Sequence, residues 1–249
     1  MNYAIIAAGE GSRLSQEGVK VPKPLVKIQD ECLIDRLIRI FMQNDAEHIF
    51  VICNDLTSLV SEHLFRLEED GLKGCPVPLD FIVKSTPSSM HSFYELSKRM
   101  PEGPFVLTTV DTIFREEEFG NYIEVFKKSL ADGADALMGV TDFVDDEKPL
   151  YVGTDADMNV TGFYDSNDHD CRFISGGIYG LNSKAVDTLN DCVQRGESRM
   201  RNFQRALVAD ERKVKAYAFS KVMDVDHAAD IDKANEFLDE KKCSCNKAG

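Results

Sequence analysis

The residues best suited to chemistry crowd the N-terminal part of the chain. Ala7-Ala8-Gly9-Glu10-Gly11-Ser12-Arg13-Leu14 closes a short apolar run that begins at Tyr3. Glycines after such a run allow positive φ and let backbone N–H groups come close to an oxyanion. A phosphate loop between a strand and a helix is the natural reading. A dinucleotide loop needs a third glycine where Leu14 stands, and no Gly-Lys-Ser/Thr P-loop occurs. A lone G-x-G also fits an ordinary tight turn. The segment Lys20-Val21-Pro22-Lys23-Pro24-Leu25 strengthens the phosphate reading. Prolines on both sides of Lys23 fix the local backbone and hold its ammonium in a defined place.

Overall charge gives these cations their weight. The 249 residues include 43 acidic and 29 basic side chains, a net charge of −14. That field works against nucleic acid and anionic membranes as partners. An anionic substrate therefore needs a local concentration of cations, which Arg13 and Lys23 supply. A composition 43% hydrophobic and 29% charged is that of a globular chain, not a disordered one. The seven cysteines are scattered without a C-x-x-C pair, as expected of reduced thiols in a cytoplasmic protein. No apolar stretch approaches the roughly 18 residues of a spanning helix. The run at Tyr3–Ala8 is too short for a signal core and lacks a basic flank.

Alternating strands and helices must position these groups. Apolar runs predict strands at Tyr3–Ala8, His48–Cys53, Leu79–Val83, Phe105–Val110 and Ala134–Val140. Leu33, Ile34, Leu37, Ile38 and Phe41 recur at helical spacing, so Cys32–Asn44 reads as an amphipathic helix. Further helices are expected after Thr57, a candidate N-cap, over Ser88–Met100 and over Glu116–Leu130. This alternation implies a mostly parallel sheet with helices on both faces. Beyond Asp142 short strands dominate, at Tyr151–Gly153, Asn159–Tyr164 and Arg172–Leu181. Helices at Ser183–Arg195 and Ser198–Asp210, a strand at Val214–Phe219 and a helix at Ala228–Asp239 follow. The expectation is one α/β domain over residues 1–240 with a small β-rich portion walling a cleft, and a flexible tail over 241–249.

A-A-G-x-G-x-R-L followed closely by P-K-P-L resembles the signature of the nucleoside-triphosphate transferases, which comprise sugar-1-phosphate nucleotidyltransferases and related cytidylyltransferases. The looser resemblance extends over almost the whole chain. It implies a Rossmann-like α/β fold, and a reaction joining a nucleoside triphosphate to a phosphorylated sugar or alcohol with Mg²⁺ and release of pyrophosphate. Residues 1–141 would mainly hold the nucleotide, and 142–240 the acceptor.

The resemblance also implies roles. Ala8, Gly9, Gly11 and Ser12 would wrap the triphosphate with Arg13, and Lys23 would contact the α-phosphate. Ser88 and Ser89 stand in the segment that meets base and ribose. Asp111 and Asp226 match the metal ligands. His227 replaces the Thr usual after the second of them, and Asp224 is a further candidate. Gly153, Asp165 and Ser175 match the acceptor side. Asn167 stands where many members have a lysine, so another cation must hold the acceptor phosphate, and Lys221 is the candidate.

The residue chemistry agrees with that reaction. Oxygen ligands suit Mg²⁺. Nucleotidyl transfer needs positioning and charge neutralisation more than a protein nucleophile. The five histidines show no metal spacing, and His91 and His169 read as polar surface or cap residues. Three alternatives stay open: a cytidylyltransferase for a phosphorylated alcohol such as phosphocholine, a glycosyltransferase with an Asp–Mg²⁺ site, and a non-catalytic nucleotide-binding regulator.

Overall fold

The computed structural model describes residues 1–145 and 147–245. Its first strand, β1 (Asn2–Ala7), alternates its side chains between two cores. Tyr3, Ile5 and Ala7 enter one, and Ala4 and Ile6 the other. That strict alternation, with every residue from Tyr3 buried, is what a central strand covered on both faces requires.

Around β1 the sheet is parallel. It pairs with β4 (His48–Cys53) on one side and β6 (Phe105–Thr109) on the other, and β4 pairs with β5 (Leu79–Val83). From β1 the chain steps outward to β4 and β5, then crosses back to β6 on the other side of β1. The carboxyl ends of β1 and β6 therefore open a crevice at the point where strand order reverses.

Beyond β6 the strand β11 (Phe173–Leu181) runs antiparallel and also pairs with β8 (Ala136–Thr141) and β9 (Tyr151–Thr154). The hairpin partner of β9 is β10 (Val160–Tyr164), and β12 (Val214–Phe219) lies parallel to β8. The sheet is thus mixed, with its parallel half under the crevice.

One core lies beneath α2 (Leu33–Gln43), α3 (Ser58–Asp70), α5 (Glu116–Ala131) and α8 (Ala228–Cys245). The other lies beneath α4 (Ser89–Ser97), α6 (Ser183–Gln194) and α7 (Met200–Ala209). Thr57 caps α3, its Oγ1 accepting from the Leu59 N–H. Phe93 of α4 packs edge-on to Phe203 of α7 at 5.5 Å, and its truncation to alanine should cost about 3–5 kcal/mol. The helix α8 continues through Cys245, beyond the residue-240 boundary expected for a loose tail, and residues 246–249 lie outside the described residues.

Candidate active site

The glycine loop leaves β1 and turns into α1 (Ser12–Gln16). Gly11 takes φ +62°, and a Cβ there would stand 3.1 Å from the Lys23 Cβ. Both the left-handed backbone and this close approach demand glycine. Because α1 has only five residues, its dipole is small, and side chains carry most of the positive charge.

Pro22 and Pro24 frame a 3₁₀ turn over Lys23–Leu25, closed by Leu25 N–H donating to Pro22 O at 2.8 Å. The turn aims Lys23 into the cleft with 10% of its side chain exposed. Its ammonium donates to Asp111 Oδ2 and, at 2.6 Å, to Asp226 Oδ1. Burial works to lower the Lys23 pKa, but Asp111 and Asp226 outweigh it, so the amine stays charged. Arg13 reaches the other oxygen of Asp226, Nη1 to Oδ2, at 3.1 Å.

Asp111 and Asp226 lie far apart in sequence, and a small ribbon brings them together. Val110 extends the path of β6, its N–H bonding Ile6 O at 3.0 Å. Immediately after Asp111, β7 (Thr112–Ile113) pairs antiparallel with β13 (Met223–Asp224). The Val225 N–H then donates to Asp111 O at 3.1 Å. Asp230 anchors the next turn by accepting from the backbone N–H groups of Asp226 and His227 at 3.1 and 2.8 Å. His227 Nδ1 lies 2.7 Å from Glu17 Oε1, and that hydrogen bond raises its pKa. Asp224 faces the cleft. Partial loss of solvent within the cleft, then the Asp111 charge, pushes its carboxyl above the usual carboxylate range.

These groups line a cleft of about 590 Å³. Ala8, Gly9, Gly11, Ser12, Arg13 and Lys23 form one wall, and Ser88 and Ser89 the other, with Asp111, Asp224 and Asp226 between them. Ser88 is the N-cap of α4, and its Oγ lies 2.9 Å from His91 Nδ1. His91 is thus part of a cap, while His169 stacks on Tyr164 at 3.9 Å. Thr86, Pro87 and Ser92 also line the wall beside Ser88. A recess of about 220 Å³ adjoins the cleft, shares Arg13, Asp224 and Asp226 with it, and includes Ser175. Ser175 Oγ donates to Gln204 Oε1 at 2.8 Å.

Three expected acceptor residues are not brought there. Asp165 is held by Arg201 at 2.5 Å and Arg205 at 2.7 Å, two ion pairs that tie the residue after β10 to α7. Gly153 packs inside the β9–β10 hairpin, where a Cβ would lie 2.7 Å from Thr161 Oγ1. The Lys221 ammonium sits 4.2 Å over the Phe143 ring and 4.8 Å over Phe237. None of the three lines the cleft or the recess. Arg201 and Arg205, four apart on one helix, were the readable signal for a carboxylate partner.

The donor set fits a hard divalent cation. Two carboxylates converge on one ammonium, with only oxygen donors around it. Among the described residues no group of three or more ligating side chains is assembled for a metal. Mg²⁺ needs no such cage, because substrate phosphates and water complete its shell.

No curated protein matches the chain by sequence. Among solved structures, the inositol-1-phosphate CTP transferase of T. maritima superposes with a TM-score of 0.74 at 18% identity over 96% of each chain. A UDP-glucose pyrophosphorylase complexed with UDP-glucose gives 0.77 at 14% identity, covering 97% of this chain and 99% of that one. The CTP:phosphocholine cytidylyltransferase of Streptococcus pneumoniae gives 0.69 at 18% identity, over 95% and 98%. At such identities these likenesses show the fold. The family model described as nucleotidyl transferase matches residues 3–241, and the chain belongs to that family.

Proposed function

We propose that this nucleotidyltransferase joins a nucleoside triphosphate to a sugar 1-phosphate, or a similar phosphorylated alcohol, giving a nucleoside-diphosphate derivative and pyrophosphate. The observation that carries the reading is the convergence of Lys23, Arg13, Asp111 and Asp226 in one cleft at the reversal of strand order.

The acceptor phosphate is already an anion, so no protein base or nucleophile is required. Its oxygen attacks the α-phosphorus in line. The new P–O bond forms as the bond to the bridging β-phosphate oxygen breaks, and the electron pair leaves with pyrophosphate. Lys23 stabilises charge developing on the α-phosphoryl oxygens, and Arg13 the departing phosphates. The glycine loop, with Ala8 and Ser12, holds the triphosphate by close backbone approach. Ser88 and Ser89 face base and ribose, and the recess beside Ser175 takes the acceptor. Asp111 and Asp226 would hold Mg²⁺, which when bound neutralises phosphate charge and orients the reacting groups.

A screen of the four nucleoside triphosphates against sugar 1-phosphates and phosphorylated alcohols, read as pyrophosphate release, tests this. Release should require an acceptor, be abolished by EDTA and be lost in Asp111→Asn. Sugar transfer from a nucleoside-diphosphate sugar, or nucleotide binding without turnover, would replace the reading.

A further inference from the structure

Lys23 makes two contacts that the transfer step does not use, to Asp111 and Asp226. Its ammonium occupies the point on which the Asp111 and Asp226 carboxylates converge, and Arg13 covers the remaining oxygen of Asp226. Nothing about a phosphate-binding lysine requires this placement. The Pro22–Pro24 frame holds the Lys23 backbone, and the side chain enters a cleft lined by both the carboxylates and the glycine loop. Its Cβ packs against Gly11, which fixes where the side chain enters the cleft.

Resting on the metal-dependent reading above, we infer that Lys23 is an internal counter-cation that closes the divalent-metal site until a polyphosphate draws it away. The two carboxylates carry −2, and Lys23 with Arg13 carry +2. A free divalent ion approaching them meets a neutralised pair and a positive charge at its own position. A triphosphate changes both conditions. It offers Lys23 and Arg13 stronger anionic partners, and it brings oxygen ligands of its own. Metal then enters with the nucleotide rather than ahead of it. The resting protein also avoids holding several crowded carboxylates without a cation, since Asp224 stands beside the pair. Lys23 is in this respect a positioning residue for the metal, in addition to its contact with phosphate.

The test is a Mn²⁺ titration without nucleotide, read by electron paramagnetic resonance of free Mn²⁺, on wild type, Lys23→Met and Lys23→Met/Asp111→Asn. Wild type should bind Mn²⁺ alone weakly. Lys23→Met, which keeps the side-chain bulk but loses the charge, should bind at least about tenfold more tightly. The double variant should lose that gain. Lys23→Ala provides a second neutral variant if Lys23→Met fails to fold by circular dichroism. Equal Mn²⁺ affinity of wild type and a folded neutral variant overturns the inference, as does tight binding by wild type alone. Failure of every protein to bind Mn²⁺ also overturns it. None of these readings depends on pyrophosphate release, so nucleotidyl transfer stands or falls separately.

Discussion

Gly177→Ala should damage the site from behind. Gly177 sits in an irregularity of β11 between Ser175 and Ile178, where register against β8 shifts. Its φ is +71°, and an added Cβ would lie 3.0 Å from Thr112 Oγ1 and 3.4 Å from Thr109 Oγ1. Those two hydroxyls, from residues that flank Asp111 in the chain, bond each other at 2.7 Å, and Thr112 also pairs across the ribbon with Asp224. Alanine in a left-handed conformation costs roughly 1–2 kcal/mol. Forcing a methyl into this part-buried contact adds roughly 1–3 kcal/mol. The sum, about 2–5 kcal/mol, lowers Tm by roughly 5–15 °C for a domain of this size. Gly176→Ala is the control. Its Cβ would also be tight, 3.2 Å from Gly139 O, but its backbone is not left-handed, so it should lose about half as much. Denaturant unfolding measures both. Activity adds a second readout: moving Thr112 tilts Asp111, so Gly177→Ala should lower kcat more than it raises KM for the nucleotide. Equal stability loss in the two variants, or a Gly177→Ala melting point within about 1 °C of wild type, would refute the strain argument.

Lys23→Ala should lower kcat by roughly 10²–10³-fold, the effect of removing one preorganised cation from the developing charge, as steady-state kinetics would show. Lys221→Ala should leave KM for the acceptor unchanged, because the ammonium rests on Phe143 and Phe237, and should cost about 0.5–1 kcal/mol of stability in a melting curve. Acid should weaken the fold through Arg39, which bridges Glu31 and Glu116. Arg39 hydrogen bonds lower the Glu116 pKa, and on Glu31 they outweigh a burial effect that raises it. Depressed folded-state values contribute stability above the ordinary glutamate pKa of about 4.3, lost as pH falls through them. Tm should therefore drop on acidification below that value, and less steeply in Arg39→Ala.

How much was legible follows from where the information lay. β4, β5 and β12 have the bounds expected of them; β4, buried from Ile49 to Cys53, is covered on both faces and writes its length directly as hydrophobicity. The ribbon β7–β13 was not legible. Two-residue strands have no period, and their pairing joins Thr112–Ile113 to Met223–Asp224 across nearly half of the chain. Yet that ribbon is what sets Asp111 beside Asp224 and Asp226. The glycine loop and the Pro-framed lysine were readable because both depend on backbone restrictions that glycine and proline state outright. The acceptor side depends instead on which charges meet across the fold. Asp165 on a hairpin reads as a free carboxylate until Arg201 and Arg205 arrive from another helix. Lys221 reads as a cleft cation until two phenylalanines receive it. Cations already committed to partners leave the recess with few for an acceptor phosphate: Arg13 is shared with Asp226, and Lys233 is paired with Asp145 and Asp230. Arg13 lines both cleft and recess, so under the proposed function it is the side chain through which nucleotide and acceptor would compete for the same charge.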